Sequence, residues 1–288
     1  MPSPRRVLTS EVLLASAPAP ALRHLIRHYY QVRDCLADRV SLQPVPARSP
    51  QILEFMFGTH YQVRRLDKNT TENVRAVALV GARTSRSAEL ILGGAVDAFT
   101  IVFQPGAFLT LFRLPAAELT NGDFDGREVL GRRIGELHER LGGVSSFEDR
   151  MAVANGWLST IRPAHESVSA MVRTALAVIR ASGTIRVNDL AGRTGLGLRQ
   201  FERRFQHEIG ISPKLYARII RFEAALQRRA LAPATSWTDI AHSLGYFDQM
   251  HMVHDFTRLC GDSPEAIARQ LDMFVQPAVL AARPSKPA

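Results

Sequence analysis

The sequence predicts a multi-domain chain of α+β class: a β-rich N-terminal part with a helical tail, then an all-helical C-terminal third. Three observations predict it. Short apolar runs bounded by turn residues fill the N-terminal part. Helical periodicity takes over near Gly106. A block of the C-terminal third then repeats itself at a nearly constant offset. The expected division is 1–162 for the β-rich domain and its helical tail, 163–272 for the helical module and 273–288 for a tail. That tail includes QPAVLAARPSKPA, whose Pro/Ala composition predicts disorder.

In the N-terminal part, PQILEFMFGTHYQVRRL, AVALVG, SAELILGG and AVDAFTIVFQPG read as strands separated by turns. Helices are expected from Gly106 to Phe112, Arg127 to Leu141 and Ser146 to Thr160. No run approaches the roughly 20 apolar residues that span a bilayer, so no membrane partner is expected. Arg5 and Arg6 before VLTSEVLLASAPAPA imitate a secretory signal, but Thr9, Ser10 and Glu11 interrupt the apolar run. Two cysteines, Cys35 and Cys260, are too few and too distant for a disulfide framework, which fits a reduced cytoplasm. The net charge of +9 favours a polyanionic partner, either nucleic acid or an anionic membrane surface. A general preference for Arg over Lys explains part of that charge, so charge alone does not choose.

The repeat carries the functional reading. One copy is DLAGRTGLGLRQFERRFQHEIGISP, from Asp189; the other is DIAHSLGYFDQMHMVHDFTRLCGDSP, from Asp239. Asp189, Ala191 and Gly195 recur 50 residues on as Asp239, Ala241 and Gly245. Phe205, Gly210, Ser212 and Pro213 recur 51 residues on as Phe256, Gly261, Ser263 and Pro264, so the second copy carries one extra residue after its glycine. Each copy reads as a helix-turn-helix. Ala191 permits close helix approach, and Gly195 supplies the positive φ that ends the first helix. The next helix places Leu198, Phe201 and Phe205 on a stripe expected to pack inward. In the second copy that stripe is Met252, Phe256 and Leu259, with Asp248 as N-cap. A helix from Pro213 to about Ala230, buried along Leu215, Ile219, Phe222 and Leu226, is expected to hold the units apart. A further helix from about Glu166 to Ala181 closes the first unit with Val168, Val172, Leu176 and Ile179.

These features resemble the AraC/XylS family of bacterial transcription regulators over roughly Glu166 to Leu271, carried by the A-x-x-x-G turns and by GLRQFERRFQHEIG and GYFDQMHMVHDFTRLCGDSP. The resemblance implies a sequence-specific regulator that inserts two recognition helices into successive major grooves of double-stranded DNA, about 34 Å apart, with the linker helix setting the spacing. The implied DNA-facing residues are Arg199, Gln200, Glu202 and Arg203, then Gln249, Met250, His251, Val253 and His254. Arg suits guanine, Gln adenine, and Met or Val the thymine methyl. RNA polymerase, a small-molecule effector and a second copy of the chain are further implied partners. One departure stands out. From Arg186 to Arg229 ten Lys/Arg face four Asp/Glu; from Ala230 to Leu271 two face five. The alternative reading is therefore a ligand- or partner-binding protein whose helical module no longer reads DNA.

The β-rich part resembles, more loosely, the degenerate cupin-like barrel found before some modules of this type. The residues carrying it are His28-Tyr29-Tyr30, Leu53 to Phe57, Gly81 and Phe103 to Ala107. Such a barrel holds a small ligand in its mouth, and Tyr29, Phe55, Phe57, His60 and Phe103 are the candidate effector residues, with plain core packing the competing reading of each. His24 and His28 stand i, i+4 on a presumed helix, but no third ligand accompanies them and no metal or cofactor is expected. No nucleophile elbow, phosphate loop or dinucleotide fingerprint appears, so an enzyme is not the reading.

Overall fold

Ten short strands form two antiparallel sheets in a computed structural model that describes residues 13–36, 40–162 and 168–271. The Pro/Ala-rich tail and the first part of the signal-like start, up to residue 12, lie outside these residues, and the rest of that start enters the sheet as β1. The strands are β1 (Leu13–Ser16), β2 (Ile26–Cys35), β3 (Ser41–Val45), β4 (Ile52–Met56), β5 (Gln62–Arg65), β6 (Thr70–Asn73), β7 (Val77–Val80), β8 (Ala88–Leu92), β9 (Ala95–Phe103) and β10 (Asp123–Asp125). The larger sheet has the order β1-β2-β9-β4-β7-β10 and the smaller β3-β8-β5-β6. This is the expected β-rich domain.

All five residues of β4 are buried, because the larger sheet is covered on both faces. Ile52 and Met56 join Ala78, Val80, Ala98 and Val102 in a core between the sheets. Leu53 and Phe55 join Tyr29, Phe99, Ile101 and Phe103 in a core on the opposite face. That outer core is closed by the helical tail: α1 (Ala107–Phe112), α2 (Ala116–Leu119), α3 (Gly126–Leu130), α4 (Arg132–Gly142) and α5 (Phe147–Ser159). One helix was expected over Arg127 to Leu141. The chain instead breaks between α3 and α4 at Gly131, whose φ of 76° and ψ of −167° lie outside helical space. The His24–His28 expectation is also corrected. His24 sits in an exposed turn and His28 in β2, so no helix face carries the pair.

The C-terminal module consists of α6 (Ala170–Arg180), α7 (Val187–Gly192), α8 (Leu198–Ile209), α9 (Pro213–Leu231), α10 (Trp237–Ser243), α11 (Gln249–Cys260) and α12 (Pro264–Leu271). Phe201, Phe205, Phe222 and Phe256 are fully buried in one core, each stabilising by roughly 2 kcal/mol. Two details differ from the sequence reading. Leu198 is 46% exposed, because the inward stripe of α8 continues to Ile209 rather than starting at its first residue. The buried face of α6 is Met171, Ala175 and Val178, one step round from the expected stripe, and Val168 precedes the helix and is exposed. Ala47 and Ala82 of the β-domain belong to this same helical core, so the two parts of the chain pack as one body along their boundary.

Candidate nucleic-acid interface

Each helix-turn-helix is built by the local rules its sequence carries. Gly195 and Gly245 take φ of 69° and 67° in the two turns, and Gly210 and Gly261 end α8 and α11 in the left-handed region. Ser212 Oγ accepts from the Leu215 amide at 3.4 Å, and Ser263 Oγ from the Ala266 amide at 3.2 Å. Asp248 Oδ1 caps α11 by accepting from the His251 amide at 2.7 Å. The extra residue of the second copy falls in the turn, where Tyr246, Phe247 and Asp248 separate Gly245 from α11 while only Leu196 and Gly197 separate Gly195 from α8.

The outward faces of α8 and α11 present the sequence-predicted readers. Arg199, Gln200, Glu202 and Arg203 are exposed along α8, as is Arg204, which the sequence reading left out. On α11, Gln249, Met250, His251 and His254 are exposed and Val253 is half-buried. Gln249 Oε1 accepts from Thr238 at 2.9 Å, and His251 stands edge-on to Tyr246 with ring centroids 5.4 Å apart. Phe247, immediately before the α11 cap, is 87% exposed. Sequence reasoning missed it, although the 51-residue offset pairs it with Leu196, which packs against the helical core in the first copy.

The acidic surplus of the second unit has a structural explanation. Ser236 Oγ, the N-cap of α10, accepts from the Asp239 amide and donates to the Asp239 carboxylate at 2.6 Å, and Asp248 caps α11. Asp255 pairs with Arg218 at 2.6 Å, and Asp262 with Arg86 of the β-domain at 3.1 Å. Glu265 accepts from Trp237 Nε1 at 3.0 Å. All five carboxylates between Ala230 and Leu271 are thereby engaged within the fold.

The aromatic residues expected around an effector are not gathered into one pocket. Tyr29, Phe55 and Phe103 belong to the outer core beneath the helices. There the Tyr29 hydroxyl donates to Asn155 Oδ1 at 2.9 Å, and Phe103 meets Phe108 edge-on at 4.6 Å. Phe57 stacks on His138 at 5.2 Å with the Arg150 guanidinium 4.1 Å from its ring centroid. His60 is exposed and its Nδ1 lies 3.2 Å from the Val74 carbonyl. The space between the sheets belongs to the alternate residues. There Glu54 accepts from the Tyr61 hydroxyl and, at 3.3 Å, from Thr100 Oγ1. Burial raises the Glu54 carboxyl above its ordinary value, and burial beside Glu54 pushes Tyr30 up to about 12.

A helix-turn-helix domain family matches residues 190–270, and a domain family of unknown function (DUF6597) matches residues 15–125. No curated protein matches the chain. Among solved structures, ToxT from Vibrio cholerae O395 is similar at 9% identity, covering 91% of this chain and 99% of its own, with a TM-score of 0.46. Unsaturated fatty acid-bound wild-type ToxT from Vibrio cholerae strain SCE256 follows at 10% identity, 92% and 97% coverage, and a TM-score of 0.45. The AraC-like transcriptional activator CuxR gives 13% identity, 78% and 88% coverage, and a TM-score of 0.25. The family matches give the chain an AraC-type helix-turn-helix domain in its C-terminal part, where α8 and α11 lie, and a DUF6597 domain in its N-terminal part.

Proposed function

We propose that the chain is a sequence-specific regulator that lays α8 and α11 into successive major-groove segments on one face of double-stranded DNA. The observation that carries this is the paired exposure of Arg199, Glu202 and Arg203 on one helix and Gln249, Met250 and His254 on the other. Arg199 and Arg203 make no ion pair or hydrogen bond within the described residues, so both guanidiniums are free to meet guanine edges or phosphates. The alternative, a helical module that has lost DNA reading, drew on the acidic second unit. Its carboxylates cap helices and hold neighbouring elements, which removes most of that motive.

The regulator is effector-responsive in this reading, with the β-domain as sensor, and it works in the cytoplasm with RNA polymerase as its downstream partner. Among the described residues no helix is long and apolar enough to cross a membrane. The direct test is footprinting of the full chain on the DNA upstream of its own gene, at two salt concentrations. Protection of one site of about two helical turns that survives the higher salt is the expected result. Binding without any preferred site would overturn the reading.

A further inference from the structure

The connection between β3 and β4 touches both recognition helices and the helix between them. With the last two residues of β3, Pro44 and Val45, its sequence to Gln51 is PVPARSPQ. Three prolines fix their own φ and push Val45 and Ser49 toward extended conformations, so this connection is stiff by composition. At Arg48 it is tied to the β-domain, where Arg48 and Arg83 exchange backbone hydrogen bonds in both directions at 2.9 Å.

The residues on either side of that bridge face the helical module, in the alternation expected of extended chain. The Ala47 amide donates to the Leu259 carbonyl in the last turn of α11, at 2.8 Å. The Ser49 amide and hydroxyl both donate to Glu223 Oε1 on α9, at 2.9 and 3.1 Å. The Gln51 side-chain amide is buried and donates to the carbonyl of Ile209, the last residue of α8, at 3.2 Å. Carbonyls in the last turn of a helix lack an intrahelical partner, and here the β-domain supplies one to each reading helix. From Ala47 to Gln51 the extended chain spans roughly 14 Å. Two outer contacts flank the segment: Thr120 Oγ1 donates to the Gly210 carbonyl at 2.7 Å, and Arg86 meets Asp262 at 3.1 Å.

We propose that residues 47–51 form a strap that fixes the placement of α8 relative to α11. The half-site spacing this protein accepts on DNA is then set by the β-domain as well as by α9. Gln51, Ser49 and Glu223 are positioning residues: Gln51 acts through the end of α8, and Ser49 with Glu223 through the linker helix α9. The inference rests on the DNA-reading function proposed above.

The test uses the full chain and a DNA site selected by it from a random-sequence pool. Base pairs are then inserted or deleted singly between the two half-sites, and dissociation constants are measured at one salt concentration beside thermal melting. The wild-type chain is expected to lose about tenfold or more in affinity when two base pairs are inserted. Gln51→Ala and Ser49→Ala are expected to flatten that profile to less than about threefold while binding the parent site almost as well. Ser49→Ala removes one hydroxyl and leaves the backbone intact, so it decides the matter if Gln51→Ala does not fold. Variants that melt like the wild type and keep its spacing profile would overturn the strap alone. A wild-type chain that selects no sequence would overturn the DNA-reading function and the strap with it.

Discussion

Arg218 on α9 grips Asp255 on α11 through two donors to one oxygen, Nη2 at 2.6 Å and Nε at 3.0 Å, with Asp255 only 4% exposed. This pair locks the linker helix to the second recognition helix. Removing one partner of a buried ion pair leaves the other uncompensated, at a cost of about 3 kcal/mol. Arg218→Ala and Asp255→Ala should each lower the denaturation midpoint by a corresponding amount, and the double variant should be less destabilised than the sum of the two. Additive losses in a double-mutant cycle would show that the pair contributes nothing as a pair.

The readers should behave differently. Arg203 is exposed and makes no contact within the fold, so Arg203→Ala should leave the melting temperature unchanged. On a selected site it should weaken binding by about 1–3 kcal/mol and relax preference at one base pair. Titrations against a panel of single-base variants distinguish this from a phosphate contact, which would weaken all sites alike.

The second unit carries an apolar tip. Phe247 and Met250 are 87% and 59% exposed at the start of α11. Met250 is suited to the thymine methyl, and replacing thymine by uracil in the second half-site should weaken wild-type binding. Met250→Ala should erase that difference. If uracil binds the wild type as well as thymine does, α11 reads no methyl group through this residue.

Burial, with the positive charge of Arg27 behind it, pushes His28 down from 6.5 to about 3. Among the described residues neither ring nitrogen has a hydrogen-bond partner. The unfolded imidazole takes up its proton near 6.5 while the folded one does not until about 3, so the unfolded state binds more protons in that window. The associated stability is complete above pH 6.5 and falls as the pH drops toward 3, by up to about 1.4 kcal/mol per unit. His28→Leu should flatten the acid side of a stability-versus-pH curve measured by denaturant titration. An unchanged slope between pH 6 and about 4 would assign acid sensitivity to other groups.

The helix-turn-helix units were legible in the sequence because local rules write them. Glycine at a positive-φ turn, serine before proline at a cap and a 3.6-residue aromatic stripe act within one or two helical turns, and Gly195, Ser212 and Phe205 each sit where those rules place them. The sheet was harder. β4 is apolar on both faces apart from Glu54, so its pattern marks a buried strand without saying which parity faces the helices and which the other sheet. Only tertiary packing decided that Phe55 lies under α4 while Glu54 lies with Tyr61 between the sheets. The fate of the second unit's carboxylates was hidden for the same reason. Arg218 stands 37 residues from Asp255 and Arg86 stands 176 from Asp262, separations that no local pattern spans. So the sequence alone determined where α8 and α11 begin, end and turn, through short-range backbone preferences. Long-range packing decided what holds those helices in place, because the β3–β4 connection meets Leu259, Glu223 and Ile209 only once the chain has folded back on itself.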